Sequence, residues 1–192
     1  MLQTIDLNAY FATAEEHRQA KELRALLEQC AQQGLLVSLV GGYGLDALYG
    51  RLTRAHRDFD LLVEAGSREA FLALLQQRGY ARLPEAAEPK LRREVYRQAD
   101  TGYLVDWLVL DAPTLAYLAQ RNGFSADLSL FLPPGCVGQL LGLPVRVPTV
   151  VGIEIIDQVI ENTSTHKLAA DFTHIRHRAS LLNSLKKQYC GY

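Results

Sequence analysis

"LVGGYGLDALYGRLTRAHRDFDLLVE", residues 39–64, holds the residues on which the reading of this chain turns. An apolar run ends in Gly41-Gly42. Arg51, Arg54, His56 and Arg57 follow, and Asp58 and Asp60 then open a second apolar run. Unpaired backbone amides, cations and paired carboxylates within so short a span suit a polyanionic ligand together with a metal ion.

Alternate side chains of a strand share a face, so Asp58 and Asp60 point one way and Phe59 the other. Their Cα atoms lie roughly 6.6 Å apart at the rise of a strand. Carboxylates that close repel unless a cation lies between them. Mg²⁺ takes oxygen ligands, commonly one or two carboxylates plus substrate phosphates. A third acid stands in "YLVDWLVL", where Asp106 shares its face with Leu104, Leu108 and Leu110. An ionised carboxylate on an aliphatic face is costly to bury unless it is paired or metal-bound. A neighbouring strand would lie about 4.8 Å away, close enough for Asp106 to complete a three-carboxylate site. Taken singly, Asp58 also reads as a turn residue and Asp106 as a solvent-facing strand residue. Together, after a double glycine, they favour a metal.

Gly41-Gly42 ends a strand and leads into a helix whose first amides are unpaired, and glycine lets a phosphate approach them. Gly42-Tyr43-Gly44-Leu45-Asp46-Ala47 also fits G-x-G-x-x-A, with Asp60 eighteen residues beyond Gly42. Three features weigh against a dinucleotide fold. Gly50 stops the helix too early for a crossover, the acids precede their apolar run where the fingerprint acid should follow it, and Asp106 is left without a role. No Gly-Lys-Ser/Thr follows the glycines, which excludes a P-loop.

Outward from this stretch, residues 8 to 33 read as a helix capped by Asn8, with Leu23, Leu26, Leu27 and Cys30 as its buried stripe. Leu35–Val40 and Phe59–Val63 read as strands, Leu45–Tyr49 as a short helix, and Ser67 as the cap of a helix through about Arg78. "KLRREVYRQADTGYLVDWLVLD" reads as a hairpin about a three-residue loop, Asp100-Thr101-Gly102. "GQLLGLPVRV" reads as a smaller one, with Pro144 confined to an edge. From Thr149 the pattern is helical, with Leu168, Phe172, Ile175, Ala179 and Leu182 as its stripe. The order is that of an α+β fold with a mixed sheet.

The 192 residues carry a net charge of −1, which argues against a nucleic-acid coat or a membrane-surface protein. Cys30, Cys136 and Cys190 are widely spaced and suit a reducing compartment. "MLQTIDLNAYFATAEEHRQ" lacks the apolar stretch of a signal peptide, and no run approaches the ~18 apolar residues of a membrane span, so a cytoplasmic location and no membrane partner are expected.

The ordered set Gly41-Gly42-x-Gly44-Leu45-Asp46-x-x-x-Gly50-x-x-x-Arg54-x-His56-x-Asp58-Phe59-Asp60-Leu61 resembles the signature of antibiotic nucleotidyltransferases of the DNA polymerase β-like superfamily. The nearest groups are the aminoglycoside 2″-adenylyltransferases and the lincosamide nucleotidyltransferases. The likeness covers about residues 35 to 110, with a weaker echo in "LGLPVRVPTVVGIEIID". It implies a nucleotidyltransferase core over residues 1–147 and a helical C-terminal subdomain over 148–192. It also implies transfer of a nucleoside monophosphate from a triphosphate, ATP being expected, to a hydroxyl of a small molecule, with Mg²⁺ or Mn²⁺ and release of pyrophosphate. A toxin-type enzyme acting on tRNA or protein, or a non-catalytic nucleotide-binding protein, is the alternative.

By the same resemblance Gly41 and Gly42 bind triphosphate, Asp58 and Asp60 are metal ligands, and Asp106 is the third acid, as ligand, base or both. Arg54 and His56 match positions for which phosphate contact and loop bracing both stay open. Asp46 matches as a structural hydrogen-bonding residue. Lys167 is a phosphate ligand if the C-terminal helix approaches the triphosphate. Asp171, His174 and His177 read as part of a solvated helix face rather than a metal site. Tyr43 and Trp107 flank the site, as packing residues or as surfaces for a base. "WLVLDAPTLAYLAQRNGFSADLSLFLPPG" departs from both antibiotic groups, and acceptor choice is expected there and in the tail. The acids available to a polycationic acceptor, Glu85, Glu88 and Glu94, are offset by Lys90, Arg92 and Arg93.

Overall fold

A computed structural model describes residues 12–84, 92–122, 127–135, 138–149, 151–153 and 155–156. Helix α1 spans Ala14–Gln32 and begins at a capping box. Glu16 N donates to Thr13 Oγ1 (3.2 Å) and Thr13 N to Glu16 Oε2 (2.6 Å), so two otherwise unpaired amides are satisfied reciprocally. The cap is therefore Thr13; Asn8 lies outside the described residues. The expected stripe is the buried one: Leu23, Leu26, Leu27 and Cys30 all face the core.

Strand β1 (Val37–Leu39) runs directly into α2 (Gly41–Tyr49). The helix starts at the glycines themselves rather than at Leu45, because Gly44 N already donates to Val40 O (3.0 Å). Gly50 ends it in the left-handed conformation. Strand β2 (Asp58–Glu64) follows a loop, and a single 3₁₀ turn (Ala65–Ser67) leads into α3 (Arg68–Gln77). Ser67 does not cap α3 with its side chain. Its hydroxyl accepts instead from Leu36 N (2.9 Å), tying this turn to the entry of β1.

Strands β3 (Tyr80–Arg82), β4 (Arg93–Gln98) and β5 (Leu104–Leu110) complete a five-stranded mixed sheet of order β1-β2-β5-β4-β3. Among the described strands only the β2–β5 pair is parallel, and it aligns Asp60 with Asp106. The β4–β5 hairpin closes through four residues rather than three. Gln98 N donates to Tyr103 O (2.9 Å), and Ala99 N is drawn to Gly79 O (3.1 Å). Val95 therefore stands opposite Asp106, and Arg93 opposite Leu108. Helices α4 (Ala112–Asn122) and α5 (Leu128–Phe131) follow. The second hairpin forms as expected, from β6 (Gly138–Leu140) and β7 (Leu143–Val145), with Pro144 opposite Gln139. Leu39 N donates to Arg146 O (2.9 Å), which anchors this hairpin beside β1.

The pleat divides the core. On one face Phe59, Leu61, Val63, Val105, Trp107 and Val109 pack with α1 and α3. Each such fully buried side chain contributes about 1.5–3 kcal/mol. On the other face Val40, Leu62 and Leu110 pack with Leu118, Phe131, Ile155 and Ile156. That apolar cluster covers only the carboxyl-end half of β2 and β5; the acids occupy the rest of the same face. Residues 151–153 and 155–156 are helical, in line with the pattern expected from Thr149. The expected stripe from Leu168 to Leu182, and the tail histidines, lie outside the described residues. Among the described residues no helix is long and apolar enough to cross a membrane.

Candidate active site

Asp58, Asp60 and Asp106 converge on one face of the sheet, each offering a carboxylate oxygen within 4.8 Å of the others. The parallel register of β2 and β5 produces this: Asp60 and Asp106 are direct partners, and Asp58 lies two residues along on the same face. Asp106 keeps only 12% of its side chain exposed. Burial, and then the nearby negative charge of Asp106, push the Asp58 carboxyl above its usual range; Arg93, His56 and Arg54 pull the other way. Three acids held this close, one of them disfavoured in its charged form, make a hard-oxygen donor set of the kind that Mg²⁺ or Mn²⁺ takes. The residues present thus fit the ion that the resemblance implies.

Gly41 lies against this cluster. Its φ is +63°, and a Cβ placed on it would stand 1.8 Å from Asp60 Oδ2. Only a residue without a side chain lets the start of α2 come this near the acid. Gly42 is enclosed in the same way: a Cβ there would stand 2.2 Å from His56 Nδ1 and 2.6 Å from the Arg54 guanidinium. The basic loop is therefore folded back over the first turn of α2, and Arg54 Nη1 also donates to Ala55 O (2.8 Å).

Asp46 holds that loop in place, as expected of a structural hydrogen-bonding residue. Its side chain is fully buried. His56 Nε2 donates to Oδ2 (2.6 Å), and both Thr53 N (3.1 Å) and Thr53 Oγ1 (2.5 Å) donate to Oδ1. For His56 the geometry shows loop bracing, with its other ring nitrogen turned to Gly42. Tyr43 packs on His56 (4.2 Å between ring centroids) and Phe59 (5.8 Å). Trp107 is 1% exposed and packs on Phe71 and Tyr96, on the sheet face opposite the acids. Both rings are core residues, and neither offers a surface to a base. Lys167 lies outside the described residues, as do Glu85, Glu88 and Lys90.

Sequence reasoning missed one partner. Arg93 approaches Asp106 with Nε 2.8 Å from Oδ1 and 3.0 Å from Oδ2, and its terminal amine also donates to Oδ2. This pairing raises the Arg93 pKa further. The signal was present in the alternation of "REVYRQ", but it is read correctly only with the four-residue hairpin loop.

The family model for aminoglycoside-2″-adenylyltransferase matches residues 22–112, the segment that carries all three acids and both glycines. Solved structures share the fold. The crystal structure of ANT(2″)-Ia in complex with adenylyl-2″-tobramycin superposes with a TM-score of 0.63 at 19% identity, covering 88% of this chain and 90% of that one. The solution structure of the antibiotic-resistance factor ANT(2″)-Ia gives 0.59 at 17% identity, covering 92% and 95%. Lincomycin-bound LnuA, a lincosamide antibiotic adenylyltransferase, gives 0.57 at 17% identity, covering 85% and 96%. The comparison with curated proteins finds no match. By its fold and by the sequence of residues 22–112, this chain is a nucleotidyltransferase that resembles the aminoglycoside 2″-adenylyltransferases.

Proposed function

We propose that the chain moves a nucleoside monophosphate, AMP from ATP being the expected case, onto a hydroxyl of a small molecule of the aminoglycoside or lincosamide kind. The observation that carries this is the convergence of Asp58, Asp60 and Asp106 within 4.8 Å, directly beside the glycine-led start of α2. The likeness to enzymes solved with adenylyl-tobramycin and with lincomycin supports the acceptor class.

In this reading the first amides of α2, at Gly41 and Gly42, take the terminal phosphates of the triphosphate, where the helix dipole favours negative charge. Arg54, held over Gly42, adds a cation to the same pocket. Asp58, Asp60 and Asp106 would hold Mg²⁺ or Mn²⁺, which when bound supplies charge neutralisation for the attacking and leaving oxygens. Asp106, on the strand farther from the glycines, also takes the proton of the acceptor hydroxyl. The bond formed joins the acceptor oxygen to the α-phosphorus, and the bond broken frees pyrophosphate. Asp46 and His56 keep the loop closed over α2. Lys167 is the further phosphate ligand of this proposal, carried by a helical subdomain over residues 148–192.

The test incubates the protein with labelled nucleoside triphosphates, Mg²⁺ or Mn²⁺, and a panel of aminoglycosides, lincosamides, tRNA and protein. Labelled antibiotic and released pyrophosphate are expected, with both lost in Asp58→Ala and Asp60→Ala. Label on tRNA or protein alone would replace the acceptor. Nucleotide binding without pyrophosphate release would refute the reading.

A further inference from the structure

We infer that Arg93 is a resident counter-cation for Asp106, a positioning residue that holds the third carboxylate in place and competes with the incoming divalent ion for it. The identity of that ion rests on the function proposed above.

Arg93 opens β4, the strand on the far side of β5 from the other two acids. Its fork engages both oxygens of Asp106. Such a bidentate pair is among the stronger charge-assisted contacts, and it fixes the plane of the carboxylate. The preceding residue turns away: Arg92 has φ 48° and pairs with Asp111. Two consecutive arginines are thus assigned to different acids, and of these two it is Arg93 that reaches the trio.

A purely structural ion pair would have no bearing on ion binding. This one does, because Asp106 belongs to a cluster of three acids within 4.8 Å. Without Arg93 the Asp106 carboxylate would face the other two acids with no guanidinium on it; with Arg93, both of its oxygens are already engaged. The guanidinium lowers the mutual repulsion of the acids and equally lowers their attraction for a divalent ion. A free ion must therefore compete with Arg93, whereas an ion arriving with a triphosphate brings anionic oxygens to which the guanidinium can turn. The ordering that follows is nucleotide and ion together, rather than ion first.

The experiment titrates Mn²⁺, without nucleotide, into wild type, Arg93→Gln and Arg93→Lys, followed by electron paramagnetic resonance. Two charges at about 4 Å in a part-buried setting interact strongly enough that losing one should tighten Mn²⁺ binding by at least about tenfold in Arg93→Gln. Arg93→Lys, which keeps the charge, should stay near wild type. In EDTA, Arg93→Gln should melt below wild type and recover when Mn²⁺ is added. Unchanged, weaker or undetectable Mn²⁺ binding by Arg93→Gln overturns the proposal. Should that variant not fold, the wild type decides: the Arg93 Nε–H resonance, assigned by its loss in Arg93→Lys, should move on adding Mg²⁺, and an unmoved resonance at saturation overturns the proposal. Tightened Mn²⁺ binding without nucleotidyl transfer would remove the proposed function and leave the role of Arg93 standing.

Discussion

Replacing Gly41 by alanine separates two effects that meet at this position. The first is conformational: at φ +63° an alanine costs about 1–2 kcal/mol. The second is steric. The new methyl would stand 1.8, 2.6 and 2.8 Å from Oδ2, Cγ and Cβ of Asp60, against ordinary contact at 3.4 Å or more. Asp60 must then retreat by over an ångström, because α2 is fixed between β2 and β6. Forcing atoms into a packed region adds about 1–3 kcal/mol. The melting temperature should fall by roughly 4–20 °C for a chain of this size. A displacement of about 1 Å in a reacting constellation is worth about 100-fold in rate. Gly50→Ala is the control, since Gly50 has φ +68° but nothing within 4 Å of a new Cβ. It should lose only the conformational part, about 1–2 kcal/mol, and keep its turnover. The assays are differential scanning calorimetry in EDTA and pyrophosphate release with Mg²⁺ and ATP. If Gly41→Ala and Gly50→Ala behave alike in both, the close approach of Gly41 to Asp60 has no functional meaning.

Three further outcomes are expected. Because the folded pKa of Asp58 lies above its ordinary value of 3.8, the folded chain holds that proton more tightly. Its contribution to stability is full below the ordinary value and is lost as pH rises through the raised one, so ionised Asp58 destabilises the metal-free protein at neutral pH. Asp58→Asn should therefore raise the metal-free melting temperature at pH 7, with a gain that shrinks on acidification; an equal gain at pH 4 and pH 7 contradicts the shift. Asp46→Ala leaves His56 and Thr53 without their buried acceptor and should cost about 3–5 kcal/mol in urea unfolding, with faster proteolysis between Arg51 and Arg57; a loss under about 1 kcal/mol would deny Asp46 its bracing role. Trp107 is the single tryptophan, and its indole N–H has no partner among the described residues. Nucleotide should not quench its fluorescence by stacking, and Trp107→Phe should cost about 1–3 kcal/mol with no change in nucleotide affinity.

The acids were legible because strand alternation is local. Two aspartates separated by one apolar residue must share a face once the segment is extended, and that requires no knowledge of the partner strand. Asp106 was legible for a different reason: a carboxylate among leucines is expensive wherever it is placed. Helix ends were read less well. α2 begins at Gly41 although glycine is a poor helix former, because a short helix packed against a sheet is set by its tertiary contacts rather than by propensity. Ser67 looked like a cap by type, yet its hydroxyl found a long-range amide at Leu36.

The pairing of Arg93 with Asp106 shows where local reading stops. A three-residue hairpin loop would place Tyr96 opposite Asp106 and set Glu94, not Arg93, on the face of the acids. The observed four-residue loop shifts the pairing by one and reverses that choice, since a slip of one residue sends every side chain to the other face. The register is held inside the hairpin, where Gly102 N donates to Gln98 O (3.0 Å), and also from outside it. Ala99 N is claimed by Gly79 O, at the end of α3, so the ladder stops at Gln98. A contact twenty residues away in sequence thus belongs to the register in which the third acid of the cluster faces an opposite charge rather than a like one. Arg93 follows from the register, and the register is consistent both with the loop's own hydrogen bonds and with the docking of α3 and β3 on the sheet.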